Sequence, residues 1–178
     1  MFTTTNQRMC LVNVAWVVSL LITGCVTQRG DRVIRAWETA NKTFKIRVNE
    51  YDEQRSIVLP HYYYRFEGAG IESNGWQEIM TVRTDEDIEI PKDQVRFVND
   101  RVGYLFMLGK YAVTTDSGNS WQVWDSDQSA PNHRYPNERF IKEVNVNSDG
   151  NGTIQLASRS DPKDTIELRT NDYGVSWK

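Results

Sequence analysis

Apolar and polar residues alternate along the chain in short runs. Examples are FKIRV at 44–48, YLFML at 104–108 and TIELRT at 165–170. Groups of Gly, Asn, Asp and Ser separate these runs, and short alternating runs bounded by turn residues indicate β-strands. The pattern predicts an all-β domain, with a strand even for the more helix-like stretch at 31–41. Further strands are predicted at 57–66, 78–82, 87–90, 95–98, 111–115, 121–124, 141–146 and 153–157.

Two parts of the chain repeat each other. The segment VRFVNDRVGYL at 95–105 aligns with VNVNSDGNGTI at 144–154, so that glycine falls on glycine and Leu105 on Ile154. The second copy is longer, and the loop SRSDPKD at 158–164 can supply the extra residues. A fainter third copy is SNGWQ at 73–77, which lacks an aspartate. Internal repetition predicts a fold built from repeated β units.

Each strong copy leads into a similar octet, TTDSGNSW at 114–121 (the first octet) and TNDYGVSW at 170–177 (the second octet). An aspartate in such a turn accepts hydrogen bonds from backbone amides, and a glycine suits a backbone position with positive φ. The serine adds a further bond, and the tryptophan buries a large ring beneath the turn. The predicted structural residues are Thr114, Asp116, Gly118, Ser120 and Trp121, and Thr170, Asp172, Gly174, Ser176 and Trp177.

Both octets resemble the Asp-box, or BNR repeat, of sialidases and related β-propellers. The family pattern is Ser or Thr, any, Asp, any, Gly, any, Ser or Thr, and an aromatic residue, and both copies match it. The resemblance covers roughly 95–178 and extends weakly back to about 44. It implies propeller-like repeats with about three blades, two of them with Asp-boxes, in which the box is structural. Three blades make a poor closed propeller, so the alternatives are a dimer or a β-sandwich.

The sequence does not predict catalysis. No residues align with the arginine cluster, the Tyr–Glu pair and the acid of a sialidase, and the tyrosine run at 62–64 alternates between strand faces. Neither histidine, His61 nor His133, belongs to a nucleophile elbow. The loop 145–152 resembles a calcium loop, but Leu156 stands where the bidentate glutamate belongs, which favours a plain turn. We therefore expect no enzyme activity, no cofactor and no metal.

The N-terminal residues predict a targeting signal. Arg8 precedes an apolar run at 11–22, and LITGC at 21–25 resembles the lipobox of bacterial lipoproteins. The resemblance implies that Cys25 is acylated, and Val26 beside it implies an outer-membrane anchor facing the periplasm. The alternatives are an ordinary signal peptide or a buried helix. The predicted organisation is 1–24 signal peptide, 25–31 lipidated tether and 32–178 a single all-β Asp-box repeat domain.

Charge and aromatic content point to protein recognition. The net charge is −3 with no basic stripe, which argues against nucleic acid and leaves the lipid on Cys25 as the membrane contact. The chain has six Trp and eight Tyr, and the loop 125–140 has the length and polarity of a binding loop. The predicted binding surface is Tyr62, Tyr64, Trp124, His133 and Tyr135.

We therefore expect a non-catalytic, lipid-anchored envelope lipoprotein that binds another protein. Small propeller-like lipoproteins of this kind resemble envelope assembly factors or immunity proteins against toxins delivered into the periplasm. The main alternative is a sialidase-like module that binds or hydrolyses glycans, for which the acids of TDEDIEIP at 84–91 are candidates. The competing reading of that segment is a solvated edge strand with Ile88 and Ile90 inward. A purely structural envelope protein is the third reading, and oligomerisation stays open.

Overall fold

The computed structural model describes residues 32–53, 61–126 and 139–178, which belong to one compact unit, Arg32–Lys178. Within these ranges no helix is long and apolar enough to cross a membrane. Several sequence predictions lie outside the described residues, namely the signal peptide 1–24, the tether 25–31 with Cys25, the start of the strand at 57–66, most of the loop 125–140, and His133 and Tyr135.

The described residues form three antiparallel sheets, here called A, B and C, which confirms the all-β prediction. In each sheet the chain runs up and down between neighbouring strands. Sheet A contains β1 (Arg32–Ala40), β2 (Phe44–Glu53), β3 (His61–Gly70) and β4 (Gln77–Thr84). Sheet B contains β5 (Val95–Phe97), β6 (Gly103–Met107), β7 (Lys110–Thr114) and β8 (Gln122–Asp125). Sheet C contains β9 (Arg139–Val146), β10 (Gly152–Ser158) and β11 (Thr165–Thr170).

Sheet B lies between the other two sheets, and each of its faces closes a separate hydrophobic cluster. Leu105 and Met107 pack with residues of sheet A, whereas Tyr104 and Phe106 pack with residues of sheet C. Because both faces are covered, all five residues of β6 are buried. The molecule is therefore a stack of three blade-like sheets, with the first cluster between sheets A and B and the second cluster between sheets B and C.

The strand register confirms the internal repeat. In sheet B, Val95 pairs with Leu105 and Phe97 with Gly103. In sheet C, the pairs at the aligned positions are Val144 with Ile154 and Val146 with Gly152. The extra length of the second copy lies in the loop between β10 and β11, where sheet B has only Leu108 and Gly109 between β6 and β7.

The strand predicted at 87–90 is wrong. Residues 85–91 are irregular and lead into a short 3₁₀ turn, Lys92–Gln94. The backbone N–H of Ile88 donates to the Tyr64 hydroxyl at 2.7 Å, so a side chain takes the place of a strand partner. Ile88 and Ile90 nevertheless pack on the first cluster, as the alternation predicted.

Candidate functional site

The first octet folds into a turn in which a threonine and an aspartate share the hydrogen bonds. Thr114 Oγ1 donates to Asp116 Oδ1 at 2.8 Å and accepts from the N–H of Gly118 at 3.0 Å. Asp116 accepts from the Ser120 N–H at 2.9 Å and from its hydroxyl at 2.6 Å. The roles of Asp116 and Ser120 follow the sequence prediction. Thr114 was predicted as a structural residue, but its role, which is to tie the entering strand to Gly118, could not be read from the sequence.

The second octet repeats this network bond for bond. Thr170 donates to Asp172 at 2.6 Å and accepts from Gly174 at 2.9 Å, and Ser176 donates to Asp172 at 2.9 Å from its N–H and 2.6 Å from its hydroxyl. Positive φ occurs at the fourth and fifth positions of both turns, at Ser117 (63°), Gly118 (79°), Tyr173 (64°) and Gly174 (87°).

These bonds account for the charge state of both aspartates. The hydroxyl and N–H of Ser120, with Thr114, hold the pKa of Asp116 below its usual value. At Asp172 burial raises the pKa, but the hydrogen bonds from Ser176 and Thr170 outweigh it and leave the pKa low. A carboxylate stabilised in its charged form by its own turn is suited to a structural role rather than to acid catalysis.

The loop 145–152, which resembles a calcium loop, forms the hairpin turn between β9 and β10, and a plain turn is what the sequence favoured. The N–H of Asn147 donates to the Asn151 carbonyl at 2.8 Å, and Gly150 has a φ of 90°. Asp149 accepts bonds from the Asn151 N–H at 3.1 Å and its side chain at 3.0 Å, which lowers the Asp149 pKa. Nowhere in the described ranges do three or more His, Cys, Asp or Glu side chains gather as a metal site.

The predicted binding surface is only partly available. Tyr64 has no exposed surface, so its assignment to that surface is wrong. Burial raises the pKa of Tyr64, although the bond from Ile88 opposes this. Tyr62 packs half-buried against the first cluster and Trp124 against the second. Tyr62 and Tyr64 face the core because the strand places alternate residues on the same side.

The alternate residues of β2 and β3 that point away from the first cluster form a surface that was not predicted from the sequence. It is here called the outer face of sheet A. Tyr51 and Tyr63 pair across the strands, and their rings stack at 4.5 Å with an interplanar angle of 8°. The guanidinium of Arg65 lies 5.4 Å from the Tyr51 ring and 5.9 Å from the Tyr63 ring. The outer face comprises Lys45, Arg47, Asn49, Tyr51, Tyr63, Arg65, Glu67 and Glu78, with Trp76 from the turn before β4. Tyr63 and Asn49 are themselves buried, Tyr63 being 6% exposed, so Tyr63 supports the half-buried Tyr51 ring from beneath this face.

Trp76 occupies the place that Trp121 has before β8, but its surroundings differ. The guanidinium of Arg47 lies 4.4 Å from the Trp76 ring centroid and the ammonium of Lys45 lies 5.1 Å away. Glu67 fixes Arg47 through contacts of 3.0 and 2.8 Å, and it accepts a third bond from Asn49 at 2.7 Å. Trp76 therefore stacks with cations on the outer face. The sequence does contain a signal for this face. In KIRVNEY at 45–51 the first, third, fifth and seventh residues are all polar or aromatic.

A cavity of about 190 Å³ opens on the other side of sheet A. Its walls include Trp37 and the ion pair between Arg35 and Glu50, whose atoms meet at 2.6 and 2.9 Å. Glu50 is buried, and Arg35 also contacts the exposed Asp87. The hydrogen bond to Glu50 raises the pKa of Arg35. The remaining lining residues are Val48, Glu89, Ile90, Pro91 and Lys92.

Comparison with known proteins gives no relative: no protein-family model, no curated protein and no solved structure matches this chain.

Proposed function

We propose that this chain is a lipid-anchored lipoprotein of the bacterial cell envelope that binds another protein and does not itself catalyse a reaction. Its role would be that of an assembly factor or of an immunity protein against a toxin delivered into the periplasm. The observation that carries the proposal is the outer face of sheet A, where Tyr51 and Arg65 are stacked over the buried Tyr63 and Arg47 lies against Trp76.

The composition of this face is that of a protein-recognition surface. Tyr, Trp and Arg are enriched among the residues that contribute most binding energy in protein interfaces. Here Glu67 holds Arg47 through two short contacts, and Glu78 lies 3.5 Å from Arg65. Side chains that are already ordered lose less entropy when a partner binds, so the arrangement favours recognition.

The anchor is supported by the lipobox-like LITGC at 21–25. Acylation of Cys25 would leave 26–31 as a short tether and the β domain, 32–178, facing the periplasm from the outer membrane. The Asp-box resemblance supports a non-catalytic domain, because both octets use their aspartates within their own turns.

The proposal is tested by affinity capture. Residues 26–178 would be immobilised without lipid and exposed to detergent-solubilised envelope and secreted fractions, and the bound proteins identified and quantified by mass spectrometry. We expect one protein near one-to-one, lost with the double variant Tyr51→Ala, Trp76→Ala and retained with Lys142→Ala, an exposed cation on β9. Capture that is empty, or that both variants retain equally, would refute protein binding through the outer face.

Glycan binding is the second candidate, and the cavity beside Trp37 is what favours it. An aromatic ring next to a fixed arginine and carboxylates is a combination that suits a sugar. A glycan array probed with the wild-type domain and with Trp37→Ala tests this candidate. Signals that survive Trp37→Ala would place any glycan elsewhere.

A further inference from the structure

The two Asn-Gly pairs of the chain lie in different surroundings. Asn74 and Gly75 belong to the loop between β3 and β4, whereas Asn151 and Gly152 lie at the start of β10. Asn-Gly is the dipeptide at which asparagine loses its amide group most readily, because glycine has no side chain to hinder attack by its backbone nitrogen. The surroundings of each pair therefore decide whether this reaction takes place in the folded protein.

The loop between β3 and β4 is the weak third copy of the repeat, the one without an aspartate. In the alignment Gly75 takes the position of Ser120. In the first octet Asp116 accepts from the Ser120 N–H at 2.9 Å and so holds this backbone amide in place. The position of Asp116 is taken by Ile71, which is exposed and has no oxygen to offer. The nitrogen of Gly75 therefore lacks the bond that holds its counterpart in both octets.

The surroundings of Asn74 leave its side chain open to attack. Asn74 and Gly75 are both exposed and belong to an irregular part of the loop. Among the described residues no hydrogen bond or ion pair holds the Asn74 side chain. The Gly75 N–H donates to the Ser73 hydroxyl at 3.1 Å, so the proton that has to leave already faces an oxygen acceptor.

The second pair is held on both sides. The side-chain amide of Asn151 donates to Asp149 at 3.0 Å. Gly152 pairs with Val146 on one side and with Thr170 on the other. The Gly152 nitrogen can reach the Asn151 side chain only after the hairpin opens, and local opening of paired strands costs free energy.

We propose that Asn74 is a site of spontaneous deamidation in the folded protein, whereas Asn151 is protected. The Gly75 nitrogen forms a bond to the side-chain carbonyl carbon of Asn74, the bond from this carbon to the amide nitrogen breaks, and ammonia leaves with the Gly75 amide proton. Water then opens the succinimide ring at either of its carbonyl groups, and the product is aspartate or isoaspartate.

Deamidation of Asn74 changes the charge beside the outer face of sheet A. Either product adds a carboxylate two residues before Trp76, whose ring stacks with Arg47 and Lys45. Isoaspartate also adds a methylene group to the backbone of the loop that positions this ring. We therefore expect binding at the outer face to weaken as the protein ages, an effect that rests on the proposed function, whereas the deamidation itself does not.

Peptide mapping by mass spectrometry tests the modification. The purified protein is aged at mildly alkaline pH, which favours loss of the Gly75 amide proton. In the folded protein we expect deamidation of Asn74 to be about tenfold faster than that of Asn151, and in urea the two rates should converge, because unfolding removes the protection. Equal rates in the folded protein, or a difference that persists in urea, would overturn the proposal.

Gly75→Ala tests the attacking group. Gly75 has no positive φ, and the nearest atom to its Cβ is Ser73 Oγ at 3.7 Å, so the variant should fold. The added methyl group should slow deamidation of Asn74 about tenfold, since it restricts the approach of the nitrogen. An unchanged rate in Gly75→Ala would also overturn the proposed reaction.

Capture with fresh wild type, aged wild type and aged Gly75→Ala tests the effect on the outer face. We expect the aged wild type to retain less partner protein than the other two. Equal capture by all three would overturn this effect. An empty capture, with deamidation of Asn74 seen in the peptide map, would count against the proposed function alone.

Discussion

Trp177 of the second octet packs edge-to-face on Tyr111 of β7, with ring centroids 5.4 Å apart and planes at 83°. Trp121 of the first octet packs on Phe44 of β2 in the same way, at 6.0 Å and 73°. Trp177 follows the last strand of sheet C and Tyr111 belongs to sheet B, whereas Trp121 precedes β8 of sheet B and Phe44 belongs to sheet A. Each octet therefore joins its own sheet to the preceding sheet, besides closing its own turn.

Removing either ring should loosen the contact between two sheets. We expect Trp121→Ala and Trp177→Ala each to lower the free energy of unfolding by about 3 kcal/mol, since each leaves a gap against a buried aromatic ring. Urea denaturation measures the change. Trp76→Ala is the matched control, because its ring stacks with cations on the outer face and should cost only about 1 kcal/mol. Equal losses for all three variants would contradict the joining role of the octets.

The glycine of the second octet is the tightest point of this contact. Gly174 has a φ of 87°, and a Cβ there would overlap the Tyr111 hydroxyl. Gly174→Ala should therefore destabilise the domain by about 2 kcal/mol, from backbone strain and from the overlap. Differential scanning calorimetry gives the loss. Gly75→Ala is the control, because the nearest atom to its Cβ is Ser73 Oγ at 3.7 Å.

Tyr111→Phe separates the two causes of this loss. It removes the hydroxyl, so the double variant Tyr111→Phe, Gly174→Ala should lose less than the sum of the two single variants. Strict additivity would show that the overlap with Tyr111 contributes nothing.

The elements predicted best from the sequence were those fixed by local chemistry. Strand alternation has a period of two, and the bonds that join the Thr, Asp, Gly and Ser of each octet lie within the octet, so neither pattern depends on distant parts of the chain. The predicted alignment of Gly103 with Gly152 is confirmed because the same strand register recurs in sheets B and C. A one-residue change in that register would have exposed the buried face of β10.

The elements predicted poorly depend on contacts across the fold. All three residues of the run at 62–64 are tyrosines, so alternation cannot tell which face is buried, and Tyr64 was wrongly predicted to lie on the surface. The Tyr51–Tyr63 stack requires the register between β2 and β3. The segment 85–91 alternates like a strand, but its Ile88 amide bonds to the Tyr64 hydroxyl, a contact that no local pattern encodes.

Because of the two octet aspartates, the stability of the domain should depend on pH in the acidic range. Asp116 and Asp172 have lower pKa values in the folded chain than the roughly 3.9 of an unfolded aspartate. The unfolded chain then binds more protons in this range, so their contribution is full above about pH 4 and is lost as pH falls through the folded pKa. We expect the melting temperature to drop below about pH 4, partly for this reason.

The double variant Asp116→Asn, Asp172→Asn tests this cause. It should be less stable than the wild type at neutral pH, and the difference in melting temperature should shrink as the pH falls towards about 2.5. Asp100→Asn, in the exposed turn before β6, controls for the general loss of a carboxylate. Parallel curves for wild type and double variant across this range would show that the octet bonds do not depend on ionised aspartates.

The ion pair beside Trp37 gives a last prediction. Glu50 is 3% exposed and meets Arg35 through two contacts, which pair its buried carboxylate with a cation. Arg35→Met should lower the urea midpoint clearly, because it leaves a buried carboxylate without a partner. Arg169→Met, whose partner Glu167 has a 50% exposed side chain, should change the midpoint little.

A double variant distinguishes this cost from a loss of packing. If the unpaired charge is what destabilises Arg35→Met, then Arg35→Met, Glu50→Leu should recover most of the midpoint, since replacing a buried ion pair by apolar residues is often neutral. A double variant no more stable than Arg35→Met would mean that the arginine stem, and not its charge, supports the wall of the cavity. In that case Trp37, which lines the same cavity, should become more accessible in both variants, and fluorescence quenching by acrylamide would detect the change.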